Sequence, residues 1–218
     1  MSTYTDIMKA IRDECAKINI SFLSNGDGRI TSAVKESEYL NLLEKGLKEH
    51  HPSLTFKHQP KERWWWDLCV NDIPINLKLT TGGTDNAFNK VAIIYSLTGK
   101  VVEKRNMNFN QFYKTIKETP KKTERDPMTE YHYLVVNKSD GKILLKSIFD
   151  IHSYKSNPCN DLQINWENEF RNLTYTITHD SYNEKVQQLL KTVQTSVKQA
   201  VASQIEFANA NIDTDFPK

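Results

Sequence analysis

Three polar residues near the middle of the chain have types and a spacing that suit metal-assisted chemistry on a phosphate. Asp67 is followed, after eight intervening residues, by Asn76-Leu77-Lys78. A carboxylate is a hard oxygen ligand for Mg²⁺, which takes only one or two protein carboxylates. A lysine ammonium beside such a metal can orient a water and stabilise the charge that develops on a phosphate. The alternative is a solvated strand face, the commoner role of such residues.

A predicted β-hairpin over residues 64–79 brings these groups onto one face. With Asn71-Asp72 as a two-residue turn, the facing residues form apolar pairs: Val70 with Ile73, Leu68 with Ile75, Trp66 with Leu77, and Trp64 with Leu79. Because side chains alternate across a strand, the same register places Asp67 opposite Asn76, with Lys78 further along that face. An Asn-Asp turn is less diagnostic than Asn-Gly. We expect Trp64 and Trp66 to pack in the core.

A predicted helix over residues 32–50 supplies a further acid. Glu36 lies on the apolar stripe of this helix, four residues before Leu40, so it points toward the core side. Glu38 and Glu44 lie away from that stripe. An acid in such a position usually reaches solvent at a helix end. Beside a metal site Glu36 would instead be a further acidic group, with Glu38 as the alternative helix acid.

A helix bearing Glu36, a hairpin bearing Asp67, then Asn76-Leu77-Lys78 and another helix resembles the PD-(D/E)xK nuclease superfamily, particularly type II restriction endonucleases. The resemblance covers roughly residues 31–98. Trp66 stands where the family usually has proline, and Asn76 stands where the second acid belongs. Some restriction enzymes of the superfamily carry Asn or Gln there and remain active. The same change leaves open an inactive DNA-binding relative.

The resemblance implies roles for these residues. Asp67 and the backbone carbonyl of Leu77 would bind Mg²⁺, the expected cofactor, with the Asn76 amide oxygen as a weaker ligand. Glu36 would bind the metal directly or through water. Lys78 would orient or help to deprotonate the attacking water. The products would carry a 5′-phosphate and a 3′-hydroxyl. From these roles, the candidate catalytic residues are Asp67, Asn76, Lys78 and Glu36.

Candidate DNA contacts come from one basic segment and two polar ones. Between Lys100 and Arg125 stand eight basic and three acidic residues, a local excess of five positive charges. Lys121, Lys122 and Arg125 lie on a loop bounded by prolines, from which they could reach phosphates, although solubilising charge is the commoner role of such loops. Polar side chains can also read base edges. The polar candidates are Thr81, Thr84, Asn86, Asn157, Asn160 and Gln163.

Composition and missing motifs exclude several other classes. The net charge of +2, from 29 basic and 27 acidic residues, does not by itself indicate nucleic acid. Three cysteines without a CxxC pair, and no signal peptide or apolar run of about 20 residues, predict a cytoplasmic protein without a membrane segment. The sequence carries no P-loop, dinucleotide-binding, zinc-protease or nucleophile-elbow motif. We therefore expect no nucleotide cofactor.

The order of predicted elements indicates an α/β (α+β) fold in one domain over residues 1–218, with a restriction-endonuclease-like core. A central mixed β-sheet flanked by helices is expected. Besides the hairpin and the 32–50 helix, the predicted elements are helices over 4–18, 86–97 and 109–118, a strand near 54–56, a hairpin over 131–148, a strand near 173–177 and a long helix over 183–208.

The long C-terminal helix, residues 183–208, has an apolar stripe that either crosses the sheet or forms a dimer seam. A homodimer would match a two-fold DNA site. We expect a type II restriction endonuclease that hydrolyses double-stranded DNA at a short palindromic site. The alternatives are a non-catalytic DNA-binding protein on the same fold and a structure-specific repair or phage nuclease.

Overall fold

Helices and strands are interspersed along the chain. The computed structural model describes residues 2–24, 29–61, 64–81, 84–85, 89–103, 107–155, 162–172 and 181–209. The α-helices in these ranges are α1 (Tyr4–Lys17), α2 (Arg29–His50), α3 (Asn89–Thr98), α4 (Phe109–Glu118), α5 (Trp166–Arg171) and α6 (Tyr182–Ala208). The strands are β1 (Phe56–His58), β2 (Leu68–Val70), β3 (Ile73–Thr80), β4 (Thr84–Asp85), β5 (His132–Asn137), β6 (Ile143–Ser147), β7 (Tyr154–Lys155) and β8 (Gln163–Asn165).

A five-stranded mixed sheet forms the centre, in the order β1-β2-β3-β5-β6. Its central pair, β3 and β5, is parallel, and the other neighbouring strands are antiparallel. A parallel pair needs a long crossover connection, and here that connection carries α3 and α4. A small antiparallel sheet has the order β4-β8-β7. The expected mixed α/β fold with a long C-terminal helix is confirmed.

Helices cover both faces of the central sheet. On one face, α1 and α2 pack on apolar residues of β2, β3, β5 and β6 through buried side chains such as Ile11 and Leu43. On the other face, α3, α4 and α6 pack around Tyr133 and Val135 of β5. The strand β3 is therefore buried along most of its length. A strand covered on both faces is expected to be apolar almost throughout, which makes its Asn76 and Lys78 exceptional.

The β2–β3 hairpin confirms the predicted turn and the first part of the predicted register. Asn71 and Asp72 both have positive φ, 47° and 68°, as a type I′ turn requires. The facing pairs adjoining this turn are Val70 with Ile73 and Leu68 with Ile75. Asn71 also bonds to Thr55, which fastens the turn to the start of β1.

The predicted pairing of Trp64 and Trp66 with β3 is wrong. The backbone N–H of Asp67 donates to the Ile75 carbonyl at 2.9 Å, one residue out of the hairpin register, and the β2 ladder ends there. The chain then turns away, so Trp65 is the buried one of the three neighbouring tryptophans, at 2% exposure. Trp64 and Trp66 are partly buried against the cluster that contains Trp65, on the face opposite to α1 and α2.

The other element predictions are largely confirmed. The helix predicted over 109–118 coincides with α4, and the 131–148 hairpin is β5 and β6. The helix predicted from residue 86 is described from Asn89, and the strand predicted near 173–177 lies outside the described residues. The short elements β4, β7, β8 and α5 were not predicted. Among the residues that the structure describes, no helix is long and apolar enough to cross a membrane.

Candidate active site

Two carboxylates meet the edge of β3 where β2 has ended. Asp67 Oδ2 accepts the backbone N–H of Leu77 at 2.8 Å. Two residues on, Glu36 Oε1 accepts the backbone N–H of Leu79 at 3.3 Å. Alternate residues of a strand direct their N–H and C=O groups to the same side, so Leu77 and Leu79 face this edge together. The carbonyl of Leu77 therefore points toward the same gap as the two acids.

Lys78 reaches the same edge of β3 from the face of the sheet opposite to α1 and α2. Its Nζ lies 3.6 Å from Glu36 Oε1, and the two side chains are 22% and 25% exposed. This partial exposure means that a ligand can reach both groups from solvent. Glu36 comes from α2, which packs on the sheet through Tyr39, Leu43 and Leu47. Helix packing and the sheet edge thus bring a cation and an acid together from positions 42 residues apart in sequence.

Asn76 holds Asp67 in place. Its Nδ2 donates to Asp67 Oδ2 at 2.9 Å, and its side chain is buried, with 5% exposure. The opposite amide orientation would set two oxygens against each other, so the contact with the carboxylate fixes which end is the donor. Asn76 Oδ1 is buried and has no hydrogen-bond partner among the described residues. The predicted role as a weak metal ligand is thus joined by a role as a donor to Asp67.

The oxygens at this edge suit a divalent cation such as Mg²⁺. Two carboxylates and a backbone carbonyl are hard ligands, and Mg²⁺ needs only one or two carboxylates because it retains water. Among the described residues, no group of three His, Cys, Asp or Glu side chains could hold a metal ion, and the side chain that contacts Asp67 at this edge is the Asn76 amide. The unpaired Asn76 Oδ1 is a buried oxygen at the other end of the amide that contacts Asp67. The donor set therefore fits Mg²⁺ with fewer negative charges than a three-acid site.

The same contacts also have a structural value. Beyond the end of β2, the N–H groups of Leu77 and Leu79 would lack strand partners, and a buried unpaired N–H costs about 1–3 kcal/mol. Asp67 and Glu36 satisfy them. Capping the sheet edge alone explains two acids at this place. It does not explain Lys78, a cation on a strand that is buried along most of its length.

The choice between the candidate helix acids favours Glu36. Glu38 is exposed on α2, whereas Glu36 contacts β3. Glu44, expected to lie away from the apolar stripe, is 7% exposed. It is paired with Lys48 at 2.8 Å and with His58 at 3.1 Å. Glu44 therefore belongs to a structural ion-pair cluster.

All three candidate cations of the basic loop have hydrogen-bond partners inside the protein. Arg125 Nε donates to Glu130 at 2.7 Å, with Arg125 19% and Glu130 1% exposed. Lys122 donates to the carbonyl and the hydroxyl of Thr129. Burial lowers the pKa of Lys122, and the negative charge of nearby Asp126 partly offsets this decrease. Lys122 and Arg125 are thus engaged inside the protein, and their contact with phosphates stays a prediction. Lys121 is exposed, although its Nζ donates to the Ile116 carbonyl at 3.1 Å.

The two polar segments predicted to read DNA meet in the small sheet. Thr84 of β4 pairs with Asn165 of β8. Thr81 is exposed just after β3, whereas Gln163 is 6% exposed. Burial argues against a direct contact of Gln163 with a base edge. The remaining candidates, Asn86, Asn157 and Asn160, lie outside the described residues.

The edge N–H groups of Leu77 and Leu79 were missed as partners of the two acids. Their only sequence signal is the two-residue spacing on one strand, which holds for every strand. The donor role of Asn76 was also missed, since an amide donates and accepts equally well. Comparison of the sequence with models of known protein families and with curated proteins finds no match. The contacts at this edge of β3 are therefore the basis for a functional proposal.

Proposed function

We propose that the chain is a Mg²⁺-dependent DNA endonuclease of the type II restriction class, with a restriction-endonuclease-like core. The observation that carries the proposal is the meeting of Glu36, Asp67 and Lys78 at one partly exposed edge of β3. The order of these groups, an acid on a helix, an acid in a hairpin and a lysine on the second hairpin strand, is the order on which the resemblance to PD-(D/E)xK nucleases rests.

The reaction proposed is hydrolysis of a phosphodiester. Mg²⁺ held by Asp67, Glu36 and the Leu77 carbonyl would offset phosphate charge and increase the acidity of a bound water. Asn76 keeps the Asp67 carboxylate oriented toward the site. Lys78 orients the attacking water or a phosphate oxygen. The water oxygen bonds to phosphorus as the bond to the 3′ oxygen breaks, and that oxygen takes a proton, which leaves a 5′-phosphate and a 3′-hydroxyl.

A second candidate is a non-catalytic DNA-binding protein on the same fold. Asn76 favours it, because its amide replaces a carboxylate and removes one negative charge from the cation site. Weaker cation binding would reduce hydrolysis and leave DNA contacts intact.

A cleavage gel separates these candidates. Purified protein is incubated with phage DNA and Mg²⁺, beside Lys78→Ala and a matched control, Lys57→Ala, which removes an exposed lysine paired with Asp72 on the same sheet. Sharp, reproducible bands support restriction, and a smear supports a less specific nuclease. Intact DNA with a mobility shift supports binding alone. If the protein is a restriction endonuclease, Lys78→Ala should cut DNA about 10²–10³-fold more slowly than the parent. The control Lys57→Ala should cut like the parent.

A further inference from the structure

A polar groove lies between the small sheet and the C-terminal helix. Its volume is about 650 Å³, and it is lined by β7, β8 and α5 on one side and by α6 on the other. Lining residues that can donate hydrogen bonds include Lys155, Asn168, Lys191, Thr195 and Gln199. The α6 members recur every four residues, so they share one face of the helix. This face is polar, in contrast to the apolar face that packs on the core.

The groove carries positive charge without a neighbouring carboxylate in its lining. Lys155 and Lys191 line it, and no Asp or Glu does. Other lysines in this part of the fold are neutralised: Lys146 contacts Glu169 at 2.9 Å, and Lys185 contacts Asp150 at 2.8 Å. Neither Lys155 nor Lys191 forms an ion pair within the described ranges. Two cations with a shared polar face favour an anionic ligand.

Glu169, which follows the lining residue Asn168, does not line the groove. Glu169 is 1% exposed. Besides Lys146, it accepts the backbone N–H groups of His152 at 2.9 Å and Ser153 at 2.7 Å. The Glu169 carboxylate is thus enclosed and paired with Lys146, and it does not line the groove.

A buried hydroxyl adjoins the groove. Tyr154 lines it and is 8% exposed. Its Oη has no hydrogen-bond partner among the described residues. Burial raises the pKa of Tyr154 well above its usual value, and the negative charge of Glu169 adds to this. The hydroxyl therefore stays protonated, and its oxygen is buried.

We propose that this groove binds phosphoryl oxygens, supplied either by a nucleic-acid backbone or by a free phosphate compound. Lysine ammoniums and amide and hydroxyl donors are the groups that contact phosphates. The nucleic-acid form rests on the proposed function, and the free-phosphate form does not.

The position of the groove favours the DNA backbone. Thr84 follows Lys78 by six residues, a reach of at most about 20 Å. From β4, the strand β7 is two strands away across the small sheet, about 10 Å. The groove is thus within about 30 Å of the candidate active site, less than one turn of duplex DNA at about 34 Å.

Binding of a fluorescent duplex in EDTA tests the DNA form without cleavage. The groove variant Lys155→Ala/Lys191→Ala is compared with Lys9→Ala/Lys45→Ala, which removes the same charge from exposed sites on α1 and α2. We expect the groove variant to bind about tenfold more weakly and its salt slope to fall by about one to two. The control stays within about twofold of the parent. Circular dichroism checks folding, and Lys155→Gln/Lys191→Gln replaces the alanine variant if that fails to fold.

Titration with inorganic phosphate, followed by amide NMR, tests the free-phosphate form. Shifts confined to groove residues such as Ser153 and Thr195, lost in the groove variant, support the proposal even when DNA affinity is unchanged. The proposal is overturned if phosphate shifts no groove resonance and the two variants bind DNA alike. A parent that fails to cut DNA contradicts the proposed function, and the phosphate titration then still tests the groove independently.

Discussion

Asn76 donates its side-chain amide to the Asp67 carboxylate at 2.9 Å, from a position that is 5% exposed. The same carboxylate oxygen accepts the Leu77 backbone N–H at 2.8 Å. The residue at the place of the second acid therefore serves Asp67 as a hydrogen-bond donor. A carboxylate at position 76 would meet Asp67 as a like charge in this contact.

Asn76→Asp tests that relationship. In EDTA at neutral pH, the lost hydrogen bond and the repulsion between two carboxylates should lower the free energy of unfolding by about 1–3 kcal/mol. Mg²⁺ should restore part of this loss, because a cation offsets the added charge. Urea denaturation with and without Mg²⁺ measures both effects, with Asn110→Asp, an exposed change on α4, as the control. A variant as stable as the parent in EDTA would contradict the described contact.

The β2–β3 hairpin could be predicted from the sequence only in part. Its turn and its register next to the turn follow from alternation, which is a local rule, and the side chains of Asp67 and Asn76 are in contact although the strand ladder ends before them. Trp65 was missed as the core residue because the Asp67 N–H bonds to Ile75, one residue out of register. The alternation of side chains cannot show where a strand ends when the residues beyond its end are apolar at successive positions. The three neighbouring tryptophans fitted either face equally well.

Trp65→Ala tests the placement of the tryptophans. Trp65 is 2% exposed and packs beside Tyr95 and Tyr131. Removing it should cost about 3–5 kcal/mol of unfolding free energy. Trp66→Ala, at a partly buried site, should cost less than about 2 kcal/mol. Chemical denaturation of both variants measures the difference, and the reverse ranking would restore the register expected from the sequence.

The site itself was predicted in part. Asp67, Lys78 and Glu36 were identified from residue type and spacing, and they do meet at one edge. Arg125 was chosen by charge alone, and the buried Glu130 that occupies it lies beyond the loop. The groove residues Lys155 and Lys191 come from separate elements, and the short strands beside the groove have too few residues to show a period. Contacts between distant segments decide such features.

Burial of His132 should make the stability of the protein depend on pH. Burial lowers the pKa of His132, and the negative charge of Glu130 partly offsets this decrease. The His132 ring contacts the Tyr4 hydroxyl and the Glu130 carbonyl. Below about pH 6.5 the unfolded chain takes up a proton that the folded one resists. The free energy of unfolding should therefore fall as the pH drops from 7 to 5, by up to about 1.4 kcal/mol per pH unit.

Denaturation curves across this pH range check the effect. His132→Gln should be less stable at pH 7 and should have a flatter pH profile. His58→Gln, a change at an exposed histidine, should keep most of the slope of the parent. An unchanged slope in His132→Gln would show that other groups carry the pH dependence.

Variants in the C-terminal half of α6 test the expected homodimer. Leu189 and Val193 of this helix are buried in the core, whereas Val201 and Ile205 are 44% and 55% exposed. The apolar stripe thus runs past the part that packs across the sheet. Sedimentation should find a dimer for the parent and a monomer for Val201→Ser/Ile205→Ser, with the thermal midpoint nearly unchanged at low protein concentration. A parent that sediments as a monomer at all concentrations would contradict the dimer.

Cleavage by two isosteric variants tests the central claim most directly. Asp67→Asn removes the charge that the proposed hydrolysis needs, and Asp72→Asn removes the same charge from the exposed turn of the same hairpin, where Asn tolerates the positive φ of 68°. Plasmid cleavage rates are measured in Mg²⁺ with protein in excess. We predict that Asp67→Asn cuts at least about 10²-fold more slowly and that Asp72→Asn cuts like the parent. Equal rates for Asp67→Asn and the parent would contradict the assignment of this edge as the active site.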